Sequence, residues 1–446
     1  MKQIIIQFGG TGDLFQKKLV PAYYQLMKKG YQFSIIALGR RYDSREEFLK
    51  NSVSVDDQQF LTKISYVHYD MKESASVDRL VAETEKRING ECEIELIYYI
   101  ALQPSLYEEA VRQIDQIHKK ISCTISKKIV VEKPFGFDSG SANTYNGIIS
   151  SVFTDDEIYR VDHYLGKEFM QNILIMRFHN DIIRGIWNNH FIDNIQIIFD
   201  ESLGVDQRLG FYERIGVVRD TVQNHILQMI THLTMQEPSD FTPEEISHEK
   251  VKVLRSIKPV EEFSLDRYAS LAEKQGDEIK TPTYTSFKLF VDTFDFVGVP
   301  IYVRTGKMQK DSRSQIFVNF KNVMSRVLNS SDIEGNSVII TTNPEMFIDI
   351  TLNMKEPNTK WRTKPVRFNF NHAKTFGINT AEAYEQIVEK ILQSDKSLFP
   401  CMKEIEEAWR IVTPMLSENE VGTYDDYTLP VSAKNLVTAD GLEWHS

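Results

Sequence analysis

The run Arg160-Val161-Asp162-His163-Tyr164-Leu165-Gly166-Lys167-Glu168 gathers a carboxylate, an imidazole, a phenol, an ammonium and a glycine into one short stretch. A carboxylate beside cationic donors suits proton transfer combined with the capture of an anion, and the plain alternative is a solvated charged turn. Further along, Arg219 to Met229 reads as a helix on which Val218, Val222, His225, Met229 and Leu233 form one stripe, so His225 is expected on a buried face. A histidine there is either a satisfied core residue or, with the Asp162 carboxylate at one ring nitrogen, an oriented general base at the other. The ten histidines include no HExxH or comparable spacing, so no metal site is expected.

Positioning such groups requires a scaffold, and the first third of the chain supplies the pattern of one. Lys2 to Phe8 is a β-branched run followed by Gly9-Gly10-Thr11-Gly12-Asp13-Leu14 and an amphipathic stretch through Lys18, Leu19, Tyr23, Leu26 and Met27. Strand, glycine turn and helix together form a cradle in which backbone N–H groups can hold a pyrophosphate. Phe15 stands where the dinucleotide fingerprint usually has Gly or Ala.

A second strand over Phe33 to Leu38 ends at Gly39-Arg40-Arg41, where an NAD site commonly has an acid; two arginines suit a 2′-phosphate, which favours NADP, with NAD still open. The alternative is a pair of exposed loop charges. Strand-like runs at Ile64 to Tyr69, Glu95 to Leu102 and Lys127 to Val131 alternate with helical patterns at Ser44 to Lys50, Val77 to Ile88 and Leu106 to Lys120, which predicts a Rossmann-like, doubly wound parallel sheet. Asp70, Pro104 and Glu132-Lys133-Pro134 fall at the strand ends where ligands lie in such sheets, and Pro134 is a candidate for a cis bond.

After Glu168 the period changes. Met346 to Glu356 alternates, with Met346, Ile348, Ile350, Leu352 and Met354 on one face and Asp349, Thr351 and Asn353 on the other, as in a half-exposed antiparallel strand. Similar strands read at Asn194 to Glu201, Thr285 to Asp292, Gln315 to Lys321 and Val366 to Asn371. The expected organisation is a dinucleotide-binding domain over residues 1–165 and a larger α+β substrate and dimerisation domain over residues 166–446, its mostly antiparallel sheet covered by helices on one side.

The 446 residues suit a two-domain enzyme, with 41% hydrophobic and 26% charged residues as in a globular protein. A net charge of -11 argues against nucleic acid or an anionic membrane surface as partner, so an anionic ligand needs a local basic pocket. Cys92, Cys123 and Cys401 have no CxxC spacing, which points to a reducing compartment. The N-terminus has no signal-peptide pattern and no apolar run nears the ~20 residues of a membrane span; a cytoplasmic protein is expected.

On these residues the chain resembles the glucose-6-phosphate dehydrogenase family. The likeness runs from Gly9–Leu14 with Lys18, Leu19 and Pro21, through Glu132–Gly136, Arg160–Glu168, Arg219-Asp220 with Gln223-Asn224-His225, and Val299-Pro300 with Arg304–Lys307, to Ala408-Trp409-Arg410 and Asp440-Gly441. The resemblance implies oxidation of C1 of glucose 6-phosphate to the lactone, the entry to the pentose phosphate pathway, by a homodimer or higher homo-oligomer.

It implies His225 as the base and Asp162 as the group that orients it. His163, Tyr164 and Lys167 would hold the 6-phosphate, Lys133 and Lys307 would line the junction of sugar and cofactor, and Glu201 and Asp220 would accept sugar hydroxyls. Gly9, Gly10, Thr11, Gly12, Asp13, Leu14, Arg40, Asp70, Met71 and Lys133 would contact the dinucleotide. Two departures stand out. Ser312 occupies a position where the family often has a second basic residue, with Lys310 and Arg313 as substitutes nearby, and the Tyr424–Leu429 region lacks the family's glycine-serine-glycine-proline run. The alternatives are a dehydrogenase of another aldose or sugar phosphate, and a weakly active NADPH-binding homologue; a pure binding role has no need of both Asp162 and His225.

Overall fold

The computed structural model describes residues 1–445 except 92, 122–124, 206–208, 276–279, 323–334, 344, 378–381 and 418–419. Cys92 and Cys123 therefore lie outside the described residues. The chain forms two compact units: one of Met1–Glu168, Asp240–Ser247 and Ala381–Glu406, the other of Phe169–Ser239, His248–Thr380 and Glu407–Ser446. No helix among the described residues is long and apolar enough to cross a membrane.

In the first unit, β1 (Lys2–Phe8), β2 (Phe33–Gly39), β3 (Ile64–His68), β4 (Ile94–Ile100), β5 (Ile125–Glu132) and β6 (Ile158–Val161) form one sheet in the order β3-β2-β1-β4-β5-β6. Every pairing in it is parallel. This is the doubly wound order, whose direction reverses between β1 and β4 and so opens a crevice at their carboxyl ends. Ile4, Ile6 and Phe8 of β1, Leu96 and Tyr98 of β4 and Leu80 and Ile114 of the flanking helices share a core. Burial on both faces explains why these strands read as continuous apolar runs. Phe15 does not open the turn for close packing as a small residue would; it fills the interior beside Tyr23 and Phe48.

The segment Ala381–Glu406 joins this unit from far along the chain. Leu392 gives its carbonyl to the Gln3 side chain at 2.8 Å, and the buried Lys128 ammonium reaches the Ile391 carbonyl at 2.8 Å and the Glu95 carboxylate at 2.9 Å. Phe399 sets the edge of its ring against Tyr159.

The second unit is built on β7 (Ile192–Asp200), β8 (Phe263–Tyr268), β9 (Tyr284–Phe290), β10 (Pro300–Gly306), β11 (Arg313–Phe320), β12 (Ser337–Asn343), β13 (Phe347–Lys355), β14 (Thr363–Asn371) and β15 (Gly422–Tyr424), in the order β14-β13-β12-β11-β7-β10-β9-β8-β15. The pairings are antiparallel except β7 with β10 and β8 with β15. The expected fold class, a parallel nucleotide-binding sheet followed by a mostly antiparallel one with helices, is what these two sheets display.

The alternation over Met346–Glu356 is present, but its sense is inverted. Asp349 and Thr351 are buried, whereas Leu352 and Met354 are exposed. The inward Asp349 carboxylate accepts a hydrogen bond from Asn369 at 2.6 Å, so this acid is satisfied on the buried side. Val366 and Phe368 of β14 join the exposed apolar surface.

Candidate active site

Each sequence-selected residue of the first unit lies at the carboxyl end of a parallel strand. Gly9–Leu14 follow β1, Arg40 follows β2, Asp70 and Met71 follow β3, Lys133 follows β5, and Asp162 to Lys167 follow β6. The turn after β1 tolerates no side chain at its first two positions. Gly9 has φ +75°, and a Cβ there would stand 2.4 Å from the Ala101 carbonyl oxygen; at Gly10 it would meet Ala37 at 2.8 Å. Such a cradle is what a dinucleotide pyrophosphate requires, so these residues fit a nicotinamide cofactor. Thr11 packs against Gly39, closing the turn onto the end of β2.

Arg40 is exposed, and its guanidinium lies 3.7 Å from the Asp70 carboxylate. The backbone N–H of Lys72 and the charge of Arg40 hold that carboxyl below its usual value. The Lys133-Pro134 bond is cis.

After β6 the chain turns tightly, with Leu165 donating to the Asp162 carbonyl at 3.0 Å and Tyr164 N–H to the Asp162 side chain at 2.9 Å. Asp162 is 1% exposed. The Lys167 ammonium sits 3.6 Å above the Tyr164 ring, and burial draws it down to about 8 despite the nearby Asp162 and Glu382 carboxylates. Gly166 is required by close approach: a Cβ would stand 2.6 Å from the Ala383 carbonyl. The His163 ring lies parallel to that of Tyr384, with centroids 6.3 Å apart. Tyr384 carries no signal of its own in sequence; only the return of Ala381–Glu406 to this unit brings it here.

In the second unit, Glu201 and Lys307 leave the ends of the adjacent parallel strands β7 and β10. Glu201 N–H donates to the Gly306 carbonyl at 2.9 Å, and Gln309 N–H to the Glu201 carbonyl at 3.0 Å. The Lys307 ammonium is thereby placed 2.6 Å from Glu201 and 3.2 Å from Asp220. Burial works against its charge, but the two carboxylates outweigh it and the ammonium titrates above its ordinary value. Tyr424 donates to the Lys307 carbonyl at 2.5 Å, and Gly306 is held to hydrogen because a Cβ would enter the Tyr284 ring.

Asp220 and His225 share Val218–Ile226, which is π-helical, not α-helical, before the α-helix Leu227–Thr234. The expected single apolar stripe is thus absent: the wider turns break the 3.6-residue period, and residues 221–235 are all buried. His225 is 3% exposed, its N–H donates to the Asn224 side chain at 2.6 Å, and its ring is tilted against Phe199.

Arg313, one of the two cations near Ser312, is already engaged. Its guanidinium is drawn to the buried Asp200 at 3.3 Å, which Arg304 also meets at 3.0 Å. Ser312 accepts from the Ser202 N–H at 2.8 Å.

Residues 5–172 match the family model described as glucose-6-phosphate dehydrogenase, NAD binding domain, and residues 174–445 that described as glucose-6-phosphate dehydrogenase, C-terminal domain. Glucose-6-phosphate 1-dehydrogenase of Bacillus subtilis is 32% identical, covering 99% of this chain and 98% of its own length. The enzyme of the same name from Saccharomyces cerevisiae is 32% identical over 94% of this chain and 88% of its own. A solved glucose-6-phosphate dehydrogenase in complex with glucose 6-phosphate superposes with a TM-score of 0.91 at 27% identity, covering 100% of this chain and 98% of that one. The Mycobacterium avium glucose-6-phosphate 1-dehydrogenase structure gives 0.87 at 25% identity, with the same coverage. Strand-end residues, sheet order and full-length kinship in both halves agree, and the chain belongs to the glucose-6-phosphate dehydrogenase family.

Proposed function

We propose that the protein oxidises C1 of glucose 6-phosphate to 6-phosphogluconolactone with NADP as hydride acceptor. The observation that carries this reading is the full-length kinship, which includes a relative described with that sugar phosphate bound. When bound, the cofactor supplies the electrophilic nicotinamide C4 that accepts the hydride from C1. The protein's task is to hold both reactants and to take the proton released from the C1 hydroxyl.

His225 takes that proton, and Asp162 orients the ring and stabilises its charged form, a division of labour like that of carboxylate–histidine pairs elsewhere. His163, Tyr164 and Lys167 hold the phosphate. Glu201 and Asp220, both tied to Lys307, accept sugar hydroxyls, and Lys133 and Lys307 lie where the sugar meets the cofactor. Purified protein with glucose 6-phosphate and NADP should produce NADPH absorbance; its absence at saturating levels of both would refute the reading.

The exposed Arg40, with no acid at the end of β2, supports NADP over NAD. Arg40→Ala should raise the KM for NADP about tenfold or more and leave that for NAD within about twofold. Equal losses for the two cofactors would sink the 2′-phosphate assignment. Ser312, which brings no cation, favours a second reading in which another aldose or sugar phosphate is preferred, and a substrate panel separates the two.

The exposed apolar surface of Leu352, Met354, Val366 and Phe368 supports a homodimer or higher homo-oligomer, because surfaces of this kind are normally covered. Sedimentation equilibrium should give at least a dimer at micromolar concentration, and a monomer there would exclude it. A cytoplasmic location completes the proposal.

A further inference from the structure

We propose that Glu132 and Tyr384 form a positioning pair that ties the ring of His163, and with it the affinity for the sugar phosphate, to the charge state of the Glu132 carboxyl. The inference rests on the function proposed above. Glu132 ends β5 in register with Val161, so its side chain and that of Asp162 leave neighbouring strands at the same end of the sheet. One carboxyl oxygen accepts the Tyr99 hydroxyl at 2.6 Å and the other the Tyr384 hydroxyl at 3.4 Å, while the backbone carbonyl of Glu132 accepts the Tyr107 hydroxyl at 3.0 Å. The ring of Tyr384 is parallel to that of His163 within 5°. One phenol therefore touches both the strand-end acid and an imidazole assigned to the phosphate.

The groups facing the carboxyl come from every element packed around it: Tyr99 from β4, Tyr107 from the helix that follows β4, Tyr384 from the returning segment, Lys133 from its own strand end, Asp162 from the end of β6, and Tyr23 from the helix after the glycine turn. Burial pushes the carboxyl up and Asp162 adds to the effect; the phenols and Lys133 oppose it, leaving it at about 7. An ordinary glutamate would be ionised throughout the neutral range, whereas this one changes charge within it. As pH rises, a negative charge accumulates beside the seat of a dianion, and affinity for that dianion falls.

The test is calorimetric titration of glucose 6-phosphate into wild type, Glu132→Gln and Tyr384→Phe between about pH 6 and about pH 8.5. The second ionisation of the free substrate and the titration of Lys167 recur in all three proteins and cancel in ratios. The ratio of wild-type to Glu132→Gln Kd should be flat on the acid side and rise about threefold through neutrality. Tyr384→Phe keeps the stacked ring but loses a hydroxyl that favours the ionised carboxyl, so its Kd should turn upward at higher pH than that of wild type. Superimposable curves for wild type and Glu132→Gln would overturn the proposal. If that variant fails to fold, an unmoved midpoint in Tyr384→Phe does the same. Binding with a flat ratio removes only this pairing, whereas a wild type that neither binds nor oxidises the sugar removes the functional reading as well.

Discussion

Replacing His225 with asparagine is expected to lower kcat about 10²- to 10⁴-fold, the usual worth of a positioned general base, while KM for the sugar phosphate stays within a few-fold. The residues proposed to seat the substrate are elsewhere: Glu201, Asp220 and Lys307 are joined by their own ion pairs and do not need the imidazole to hold their shape. His225 itself is buried, so the substitution also costs some stability, on the order of 1–2 kcal/mol for a modest loss of buried volume. Steady-state rates at saturating substrate and cofactor, taken well below the melting temperature of the variant, separate the two effects. A variant that is folded and turns over at the wild-type rate would remove His225 from the chemistry.

The second large effect is expected at Lys307. Its substitution by methionine preserves most of the length but leaves the Glu201 and Asp220 carboxylates facing each other with no cation between them. KM for glucose 6-phosphate should rise about 100-fold or more, because the carboxylates then repel one another and the anionic substrate. Stability should fall too, with a particular pH signature. The folded-state ammonium titrates above its ordinary value, so its contribution is complete below that value and is lost only as pH rises through the folded one. Wild type and Lys307→Met should therefore differ most in melting temperature at neutral pH and converge in strongly alkaline buffer. A constant gap up to high pH would mean that the lysine acts through its hydrocarbon stem, not its charge.

Much of this was legible from residue order. The β-branched runs closed by glycine or charged turns gave β1 to β5 of the parallel sheet to within about two residues, because a strand buried on both faces favours such runs; the four-residue β6, Ile158–Val161, was too short to stand out. The candidate chemistry was legible for a related reason: in such a sheet, whatever follows a strand stands at its carboxyl end, so Asp70 and Lys133 needed only their strands to be located, whereas Asp162 was marked by the residue types around it.

What stayed hidden depended on geometry that a period cannot encode. Alternation along Phe347–Lys355 separates two faces but does not say which is inward, and the satisfied Asp349 shows that hydrogen bonds can reverse the usual choice. The helical spacing at His225 assumed 3.6 residues per turn, and the wider turns over Val218–Ile226 invalidated the stripe without changing its conclusion that the ring is enclosed. Tyr384 was invisible because its role depends on a contact with His163, more than two hundred positions earlier.

The closure of the first unit by Ala381–Glu406 sets a schedule for synthesis. At bacterial to eukaryotic translation speeds, a ribosome that has finished Glu168 needs on the order of tens of seconds to deliver the segment that caps Gln3, Lys128 and Tyr159. For that interval the nascent nucleotide-binding half waits with a polar seam and an aromatic edge uncovered, a natural client for holding chaperones. Gene fusions that cut the coding sequence after Glu168 would make that waiting state permanent.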